Sequence, residues 1–375
     1  MTVRTLLPLL ALAAALPLRA QDPRAAQPFT IYVASEAGDI VTRIEVGPQG
    51  WRKIREIPVG TLATDLDGPH HVAVSPDGKY WYVSLAHGTP FGSVWRYTTG
   101  NDSLVGRVGV GMFPTTIGIS PDGSWAYVPN SDFHGDRGHQ NTISVLYLTN
   151  MSQIVEIPTC DMPHGSRYNH AGSQVYIACM MSDELVEMDP GAMKVTRRAP
   201  LGSGTASHAT HAANGAVVPG AASSTMAGQN PDCLTTFVSV SPDDKLLYLA
   251  CSHSNEVQVR DARTLELVRR LPTATGAYNV EPSPDGKFVL VTNKKAQSVS
   301  VFATGTWTEA ARIATSRKVP HGIVFSPDGR YAFVSVESVG SDPGAVDAID
   351  LSTLTRVASM EIPRQPTGIA VWRGK

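Results

Sequence analysis

Charged side chains and cysteines are scarce in this 375-residue chain. Asp, Glu, Lys and Arg together make up 17% of the residues, the formal net charge is −2, and there are only four cysteines. A chain without a basic field has nothing to attract phosphate backbones, so we expect no nucleic-acid partner. A hydrophobic content of 42% supplies ample core material and excludes an intrinsically disordered chain.

Long apolar runs are also missing, except near the N-terminus. The uncharged run Leu6–Leu18 follows Arg4 and precedes the small residue Ala20, as in a cleaved secretory signal peptide. It is too short to span a bilayer comfortably, and no later stretch approaches about 20 apolar residues. We therefore expect residues 1–20 to be removed and the mature protein to be periplasmic or secreted, without a transmembrane segment. We also expect the protein to be a monomer.

No long segment shows the 3.6-residue apolar period of an amphipathic helix, which argues against a two-domain α/β protein. Instead, 33 Gly and 27 Pro punctuate the chain, as expected for many short strands joined by tight turns. A Cys-x-x-Cys-His sequence is absent as well, which excludes covalently attached haem.

One tetrapeptide recurs along the chain. Ser-Pro-Asp-Gly occupies residues 75–78, 120–123, 283–286 and 326–329, with variants at 169–172 and 241–244. Pro presets the first turn residue and Gly accepts a positive φ, so each copy predicts a hairpin turn. An apolar strand precedes each turn, an aromatic-rich strand follows it, and two further strands complete the repeat. Four antiparallel strands in about 40–50 residues are typical of a β-propeller blade.

The six turns predict six blades, and the two chain ends predict a seventh. Pro366–Trp372 reads as an innermost strand, and the segments 29–34, 40–46 and 51–57 supply the other three. We therefore predict an all-β, seven-bladed propeller over residues 21–375, with four antiparallel strands per blade and a ring closed by N- and C-terminal strands that share one blade.

The repeat Pro-His-Gly-x-x-x-Ser-Pro-Asp-Gly and the sequence Leu290-Val-Thr-Asn293 resemble those of the YVTN, or YncE-like, seven-bladed propellers. The segment Pro69–Gly78 also resembles the first repeats of bacterial seven-bladed lactonases. The resemblance covers nearly the whole mature chain and implies the fold. It does not select one function, because such propellers serve as binding scaffolds, cofactor-bearing enzymes and lactonases.

Seven residues occupy one aligned position, at the start of each inner strand. They are His70, Thr115, His164, Thr236, Tyr278 and His321, with Thr367 closing the ring. Inner strands all begin at the same mouth of a propeller, so these side chains should face one funnel. Neutral imidazole binds metals and imidazolium binds anions, which predicts a ligand site there. The predicted ligand-binding residues are His70, His71, His164, His321, Tyr278, Arg167 and Glu337.

The same funnel predicts a candidate copper or zinc site. His70, His164 and His321 would share the ion, with His87 and His253 near the rim, because imidazole suits these metals. His70-His71 resembles the histidines at the copper-bearing propeller mouth of nitrous-oxide reductase, although this chain has no second copper domain. Alternatively, His164 and His321 bond the backbone of a neighbouring blade and are structural.

Four cysteines in an exported chain predict two disulfides. Strand pairing across the fourth turn motif brings Cys233 diagonally beside Cys251. The equivalent pairing across the third motif brings Cys160 near Cys179 if its loop folds back. We predict both bridges.

One insertion departs from the repeat. Residues 203–232 are rich in Ala, Gly and Ser, contain His208 and His211, and precede an inner strand on the funnel face. Loops longer than about 12–15 residues are usually functional or disordered. The insertion is therefore predicted to be either a functional lid above the funnel or an unstructured loop.

Two classes of function remain open from the sequence. The first is an exported binding module that holds a small molecule, a metal ion or a protein partner at the histidine-lined funnel. It is favoured because the sequence shows neither a nucleophile–base pair nor a cofactor fingerprint. The second is an enzyme, either a lactonase-like hydrolase or a copper- or zinc-dependent oxidoreductase. Metal content would separate these hypotheses.

Overall fold

The computed structural model describes residues 22–61, 65–87, 91–133, 141–202 and 231–374. Within these ranges the chain forms 28 strands in seven four-stranded antiparallel sheets. Each sheet is one blade, and the seven-bladed all-β propeller predicted from the repeats is confirmed. The proposed signal peptide and most of the 203–232 insertion, including His208 and His211, lie outside the described residues.

Blades 1 to 3 contain the strands of the first part of the chain, and blade 1 also contains the last strand of the sequence. Blade 1 contains β28 (Pro366–Trp372), β1 (Phe29–Ser35), β2 (Ile40–Gly47) and β3 (Gly50–Pro58). Blade 2 contains β4 (Pro69–Val74), β5 (Tyr80–Leu85), β6 (Ser93–Thr98) and β7 (Leu104–Gly109). Blade 3 contains β8 (Gly118–Ile119), β9 (Trp125–Asn130), β10 (Thr142–Tyr147) and β11 (Ser152–Pro158). A single 3-10 turn, Glu36–Gly38, follows β1.

The remaining four blades follow in order. Blade 4 contains β12 (Pro163–Tyr168), β13 (Val175–Cys179), β14 (Glu184–Asp189) and β15 (Lys194–Pro200). Blade 5 contains β16 (Thr235–Val240), β17 (Leu246–Cys251), β18 (Glu256–Asp261) and β19 (Leu267–Pro272). Blade 6 contains β20 (Ala277–Pro282), β21 (Phe288–Asn293), β22 (Ser298–Ala303) and β23 (Thr308–Ala314). Blade 7 contains β24 (Pro320–Phe325), β25 (Tyr331–Val336), β26 (Gly344–Asp350) and β27 (Thr355–Ile362).

The Ser-Pro-Asp-Gly motif forms the turn between the first two strands of a blade. In blade 2, Ser75 Oγ donates to Asp77 Oδ1 over 2.6 Å, and the Lys79 amide donates to the same oxygen over 3.0 Å. Gly78 has a φ of +68°, where a side chain would be strained. The aspartate thus accepts hydrogen bonds within its own turn. This role explains why the motif repeats an aspartate without assigning it a catalytic function.

The hydrophobic core lies between neighbouring blades. Trp81 of blade 2 stacks on Tyr97 of the same blade at 4.1 Å and on Tyr32 of blade 1 at 5.1 Å. All three rings are buried. Burial of an aliphatic or aromatic side chain of this size is worth about 1.5–3 kcal/mol. Neighbouring blades therefore share their apolar core, and opening the ring would expose part of it.

Both chain ends complete blade 1, as predicted. Strand β28 pairs antiparallel with β1, with Thr30 opposite Trp372 and Val33 opposite Ile369. The last strand of the sequence is therefore the innermost strand of the blade that holds the first three strands. This pairing removes the exposed strand edges that an open ring would present.

A closed circuit of seven hydrogen bonds joins the inner strands of neighbouring blades. We call its acceptors the ring carbonyls, the backbone C=O groups of His70, Thr115, His164, Thr236, Tyr278, His321 and Thr367. Each accepts a side-chain hydrogen bond from the preceding blade. An inner-strand carbonyl at the axis has no further strand to pair with, so these bonds satisfy groups that would otherwise be buried without a partner.

The donors of this circuit come from two places. In blades 1, 3 and 5 the donor is the threonine at the aligned position itself, for example Thr367 Oγ1 to the His70 carbonyl at 2.8 Å. In blades 2, 6 and 7 it is a hydroxyl of the second strand: Ser84, Thr292 and Ser335. In blade 4 it is His164, whose Nδ1 donates to the Thr236 carbonyl over 2.9 Å.

The four cysteines form the two predicted disulfides. Cys160 is bonded to Cys179, and Cys233 is bonded to Cys251. The strand register is the one inferred from the turn motifs, since Thr235 lies opposite Cys251. Such bonds persist in oxidising compartments. In the described part of the chain, no helix has the length and apolar character needed to cross a membrane.

Deletion of residues 364–375 should destabilise the entire propeller, because it removes β28 and exposes a strand edge on blade 1. We expect the Tm to fall by at least about 10 °C, equivalent to several kcal/mol for a protein of this size. Deletion of residues 373–375 alone, which lie beyond β28, serves as the control and should leave the Tm nearly unchanged. Calorimetry of both truncations checks this, and equal melting temperatures would contradict closure by β28.

Candidate functional site

Four of the seven aligned side chains meet at the propeller axis. The ring of His70 lies 5.8 Å from that of His164 and 5.8 Å from that of His321, measured between ring centroids. The ring of Tyr278 lies 5.8 Å from His164 and 4.6 Å from His321. We call these four residues the axial cluster. Its three imidazoles are buried.

The circuit of ring carbonyls explains which of these side chains are available for chemistry. In blades 2, 6 and 7 the second-strand hydroxyl makes the inter-blade bond, so His70, Tyr278 and His321 are not needed for it. In blade 4 the corresponding second-strand residue is Ala178, and His164 makes the bond itself. His164 thus has the structural role considered for it, whereas His321 does not bond the neighbouring backbone in this way.

Glu36 orients His70. Its Oε2 lies 2.9 Å from His70 Nδ1, and its Oε1 lies 2.8 Å from Nε2 of His87. Burial alone would raise the pKa of Glu36, but the hydrogen bonds from the two imidazoles hold it well below its usual value. The carboxylate is therefore ionised and accepts a hydrogen bond from Nδ1 of His70. The other nitrogen, Nε2, is buried and has no hydrogen-bond partner among the described residues.

Tyr278 joins the remaining members of the cluster. Because Nδ1 of His164 donates to a carbonyl, its Nε2 is the acceptor that faces the Tyr278 hydroxyl at 3.3 Å. Lys294 Nζ lies 3.6 Å from the centre of the Tyr278 ring and 2.7 Å from Glu337 Oε1. The same oxygen of Glu337 lies 3.9 Å from His321 Nε2. The cation of Lys294 is therefore already paired with a carboxylate beside the cluster.

Burial keeps three members of the cluster uncharged, namely His164, His321 and Tyr278. It lowers the pKa of His164 to about 3, with a further contribution from His70. It lowers the pKa of His321 well below the usual value, and Lys294 adds to the effect. It raises the pKa of the Tyr278 hydroxyl well above 10. At neutral pH the site thus offers the neutral imidazoles of His164 and His321, and a phenol that can donate a hydrogen bond.

An axial cavity of about 420 Å³ begins at the cluster and runs toward the turn motifs. His70 and His321 line one end, and Pro76 and Pro284 of the turn motifs line the other. The other polar side chains of the lining include His71, Thr116, Arg167, Asn279 and Glu281. Two of these, His71 and Arg167, belong to the predicted ligand residues. They lie in this cavity beneath the cluster.

The structure brings most of the predicted site residues to the axis, but with one exception. His70, His164, His321 and Tyr278 form the cluster, and Glu337 lies beside it. His87 is linked to the cluster through Glu36. His253 is not brought to it: its Nδ1 bonds the Pro231 carbonyl at 2.9 Å, and no ring contact among the described residues connects it to the axis.

The three axial imidazoles do not form a preassembled metal site. In the described residues, the one set of three His, Cys, Asp or Glu ligand atoms lying within 4.8 Å of one another belongs to Cys160, Cys179 and Glu184. Both of these cysteines are in a disulfide and are not available as thiolates. The copper or zinc site therefore stays a prediction that requires the imidazoles to move closer together.

Three site residues were missed by the sequence analysis: Glu36, Lys294 and Glu281. A signal for the first two exists in the repeat. Glu36, Lys294 and Glu337 occupy the same position, one residue after the second strand of blades 1, 6 and 7. An alignment of the repeats that included the residue after each second strand, and that also covered blade 1, would have identified Glu36 and Lys294. Glu281 carries no such signal, because its partner Arg167 lies two blades away.

Comparisons with known proteins agree with this architecture. Residues 235–346 match the family described as Lactonase, 7-bladed beta-propeller. No curated protein matches the sequence. A solved structure of the periplasmic gluconolactonase of Pseudomonas aeruginosa is similar over 92% of this chain and 99% of its own, with a TM-score of 0.71 and 15% identity.

Two further solved structures are similar to this chain. A candidate 6-phosphogluconolactonase of Bacteroides uniformis has a TM-score of 0.68 at 14% identity, covering 92% of this chain and 99% of its own. Hydrazine synthase of Kuenenia stuttgartiensis has a TM-score of 0.59 at 22% identity, covering 79% of this chain and 80% of its own. At these identities the similarity establishes the fold. The family match supports a lactonase-type propeller, while the YncE-like assignment stays a prediction.

Replacement of His164 by Thr should preserve the inter-blade circuit, because threonine makes the equivalent bond in blades 1, 3 and 5. In the H164V variant the valine has the shape of threonine but no hydroxyl, so the Thr236 carbonyl is left without a donor. This variant should be less stable than H164T by about 1–3 kcal/mol. Urea unfolding at pH 7 measures the difference. The control is T149V, the same Thr-to-Val difference at an exposed position, and it should change the stability little. Equal stabilities of H164T and H164V would contradict the structural role of His164.

The neutral state of His164 also makes stability depend on pH. Unfolded histidine takes up a proton near pH 6.5, whereas the folded imidazole does so only near pH 3. The unfolded state therefore binds more protons between these values, and the free energy of unfolding falls as the pH is lowered from about 6.5. We expect this fall, measured by urea unfolding between pH 7 and pH 5, to be smaller in H164T than in the natural protein. The control is H170T, a substitution of an exposed histidine. If the free energy of unfolding of H164T fell with pH as steeply as that of the natural protein, the neutral state of folded His164 would be refuted.

Proposed function

We propose that the protein is an exported hydrolase that opens a cyclic ester at the axial cluster, with His70 as the general base. The observation that carries the proposal is the Glu36-oriented His70, whose Nε2 is buried and has no hydrogen-bond partner in the described structure. A carboxylate that fixes the tautomer of an imidazole is the arrangement that prepares histidine for proton transfer. The two disulfides suit a periplasmic or secreted enzyme.

The proposed reaction balances with water as the second substrate. His70 Nε2 takes a proton from water while the water oxygen attacks the ester carbonyl carbon. Burial keeps the Tyr278 hydroxyl protonated, and in the proposed reaction this hydroxyl turns its one proton from Nε2 of His164 to the resulting oxyanion. The bond between the carbonyl carbon and the ring oxygen then breaks. The imidazolium returns its proton to that oxygen, which gives an open-chain hydroxy acid.

The lactonase family match supports this choice over the other candidates. The matched segment, residues 235–346, contains Tyr278, His321 and Glu337, three of the residues at or beside the cluster. The periplasmic gluconolactonase with the similar fold gives a second, weaker support, because identity is only 15%. General-base chemistry also needs only one free imidazole nitrogen, which the structure provides.

A metal-binding module is the second candidate, and one observation favours it. His70 and His164 each use Nδ1 to bond a carboxylate or a carbonyl, which is the usual outer-shell arrangement of metal-bound imidazoles. Against it stands the separation of the three ligand atoms. Metal analysis of the purified protein, together with assay after chelation, distinguishes the two candidates. Activity that is lost on chelation and restored by zinc or copper would favour the metal.

Replacement of His70 by Thr tests the proposed base. The aligned position holds threonine in three blades, and Ser84 already makes the inter-blade bond of blade 2. The variant should therefore fold. Assayed on a panel of five- and six-membered lactones, its kcat should fall by about 10²–10⁴-fold, the usual contribution of a general base. H170T, a change on the turn face outside the cluster, is the matched control and should keep full activity.

Two outcomes would overturn the proposal. One is natural protein that hydrolyses no lactone of the panel above the spontaneous rate. The other is an H70T variant that melts at the natural temperature and retains full activity.

A further inference from the structure

The polar residues on the wall of the axial cavity lie in two layers. His71, Thr116 and Asn279 directly follow the aligned residues of blades 2, 3 and 6, whereas Arg167 and Glu281 lie two positions further along their strands. Because a strand rises about 3.3 Å per residue, the second layer lies about 7 Å farther from the axial cluster than the first. The first layer therefore adjoins the cluster, where the proposed reaction takes place.

A β-bulge brings His70 and His71 to the same cavity. Successive residues of a strand normally point to opposite faces of the sheet. In blade 2 the register between β4 and β5 shifts, so that Pro69 lies opposite Leu85 and His71 lies opposite Ser84. Such a bulge changes the direction of the side chains beside it, and both imidazole rings line the axial cavity. One bound molecule can therefore contact both rings.

The two other polar side chains of the first layer offer no fixed donor to the cavity. Thr116 Oγ1 donates to the His164 carbonyl over 2.9 Å, so its one proton is used between blades. Asn279 is 3% exposed, and its Oδ1 has no hydrogen-bond partner in the described structure. No hydrogen bond to this oxygen therefore fixes the orientation of the amide. His71 is different in this respect.

A backbone contact fixes the tautomer of His71. The Ile117 amide donates to His71 Nδ1 over 3.3 Å, so this nitrogen carries a lone pair and the ring proton lies on Nε2. Burial, with Arg167 and His70 nearby, lowers the pKa of His71 to about 3, which agrees with a neutral ring. No acceptor for the Nε2 proton is found among the described residues. His71 therefore presents an oriented N–H donor to the cavity that it lines.

A neutral imidazole is suited to stabilise negative charge that develops on a carbonyl oxygen, because its N–H polarises the carbonyl. Donors contribute most when they are oriented before the reaction, since no reorganisation is then needed. The Tyr278 hydroxyl is not oriented in this way, because its one proton faces Nε2 of His164 at 3.3 Å. Among the described residues, the cavity lining includes His70 and His71 but not Tyr278.

We propose that His71 is a further catalytic residue of the axial site, whose Nε2–H donates a hydrogen bond to the ester carbonyl oxygen as that oxygen becomes negatively charged. The assignment rests on the proposed hydrolase function and gives it an oriented oxyanion donor in addition to Tyr278. The two neighbouring histidines then have separate roles: His70 takes the proton from water, and His71 binds the oxyanion. The proton of His71 stays on Nε2, so the balance of the reaction is unchanged.

The H71Q and H71M variants test the assignment as a matched pair. Both side chains are unbranched and of the same length, but only glutamine keeps an N–H donor near the position of Nε2. On the lactone that the natural protein hydrolyses fastest, kcat of H71M should fall by about 10²–10³-fold with little change in KM, as expected for a donor that acts in the transition state. H71Q should keep at least about 10-fold more activity than H71M. H170M, the same substitution at an exposed histidine, is the control and should keep full activity.

Urea unfolding of the pair separates loss of the donor from loss of structure. Both variants remove the imidazole that the Ile117 amide contacts, so their stabilities should be similar. A lower kcat in H71M than in H71Q at similar stability would support the proposal. Equal kcat values of H71M and H71Q, or full activity of H71M, would overturn it.

A measurement on the natural protein separates this assignment from the hydrolase function. In NMR of protein labelled with nitrogen-15 histidine, the ring signals that disappear in H71Q identify His71, and its Nε2 should carry the proton at pH 7. Titration with δ-valerolactam, which has a ring carbonyl but no ester, should shift the signal of this N–H group. That shift would support the assignment even if the natural protein hydrolysed no lactone. A proton on Nδ1, or an N–H signal that the lactam leaves unchanged, would overturn it even if lactones were hydrolysed.

Discussion

Closure of the propeller depends on the hydrogen bonds that pass from blade to blade around the axis. Seven inner strands each leave a carbonyl at the start of the strand, and each carbonyl accepts at least one side-chain hydrogen bond from the preceding blade. The carbonyls are buried, so an unmade bond would carry the cost of an unsatisfied polar group. The repeat therefore must supply one donor per blade, either at the aligned position or on the second strand.

This requirement separates structural from reactive side chains without reference to any ligand. In three blades the second strand carries the hydroxyl donor, so the aligned position is not needed for the inter-blade bond and holds His70, Tyr278 or His321. In the other four blades the second strand carries Ala or Pro instead, and the residue at the aligned position is itself the donor. His164 belongs to the second group, although the sequence makes it look equivalent to the other histidines. Its imidazole still borders the cluster, so it both closes the ring and shapes the pocket.

The sequence predicted the fold because its signals are local and repeated. Turn motifs predicted the blade number and the strand register, and the register placed Cys233 beside Cys251. The Cys160–Cys179 bridge also required the loop before its strand to fold back. Ring symmetry also predicted that the histidines of one aligned position would meet at the axis. The pairing of Arg167 with Glu281 could not be predicted, because it joins non-neighbouring blades across the axis and depends on side-chain reach rather than on strand register.

The position of Glu36 links the chemistry of the site to closure of the ring. Glu36 follows β1, and its backbone amide donates to the carbonyl of Gln365, directly before β28, over 2.9 Å. The carboxylate that orients His70 is thus held by the C-terminal strand that completes blade 1. An open ring would lose the orientation of His70 together with the last strand. The first and last segments of the chain therefore stabilise the fold and complete the proposed site through the same contact.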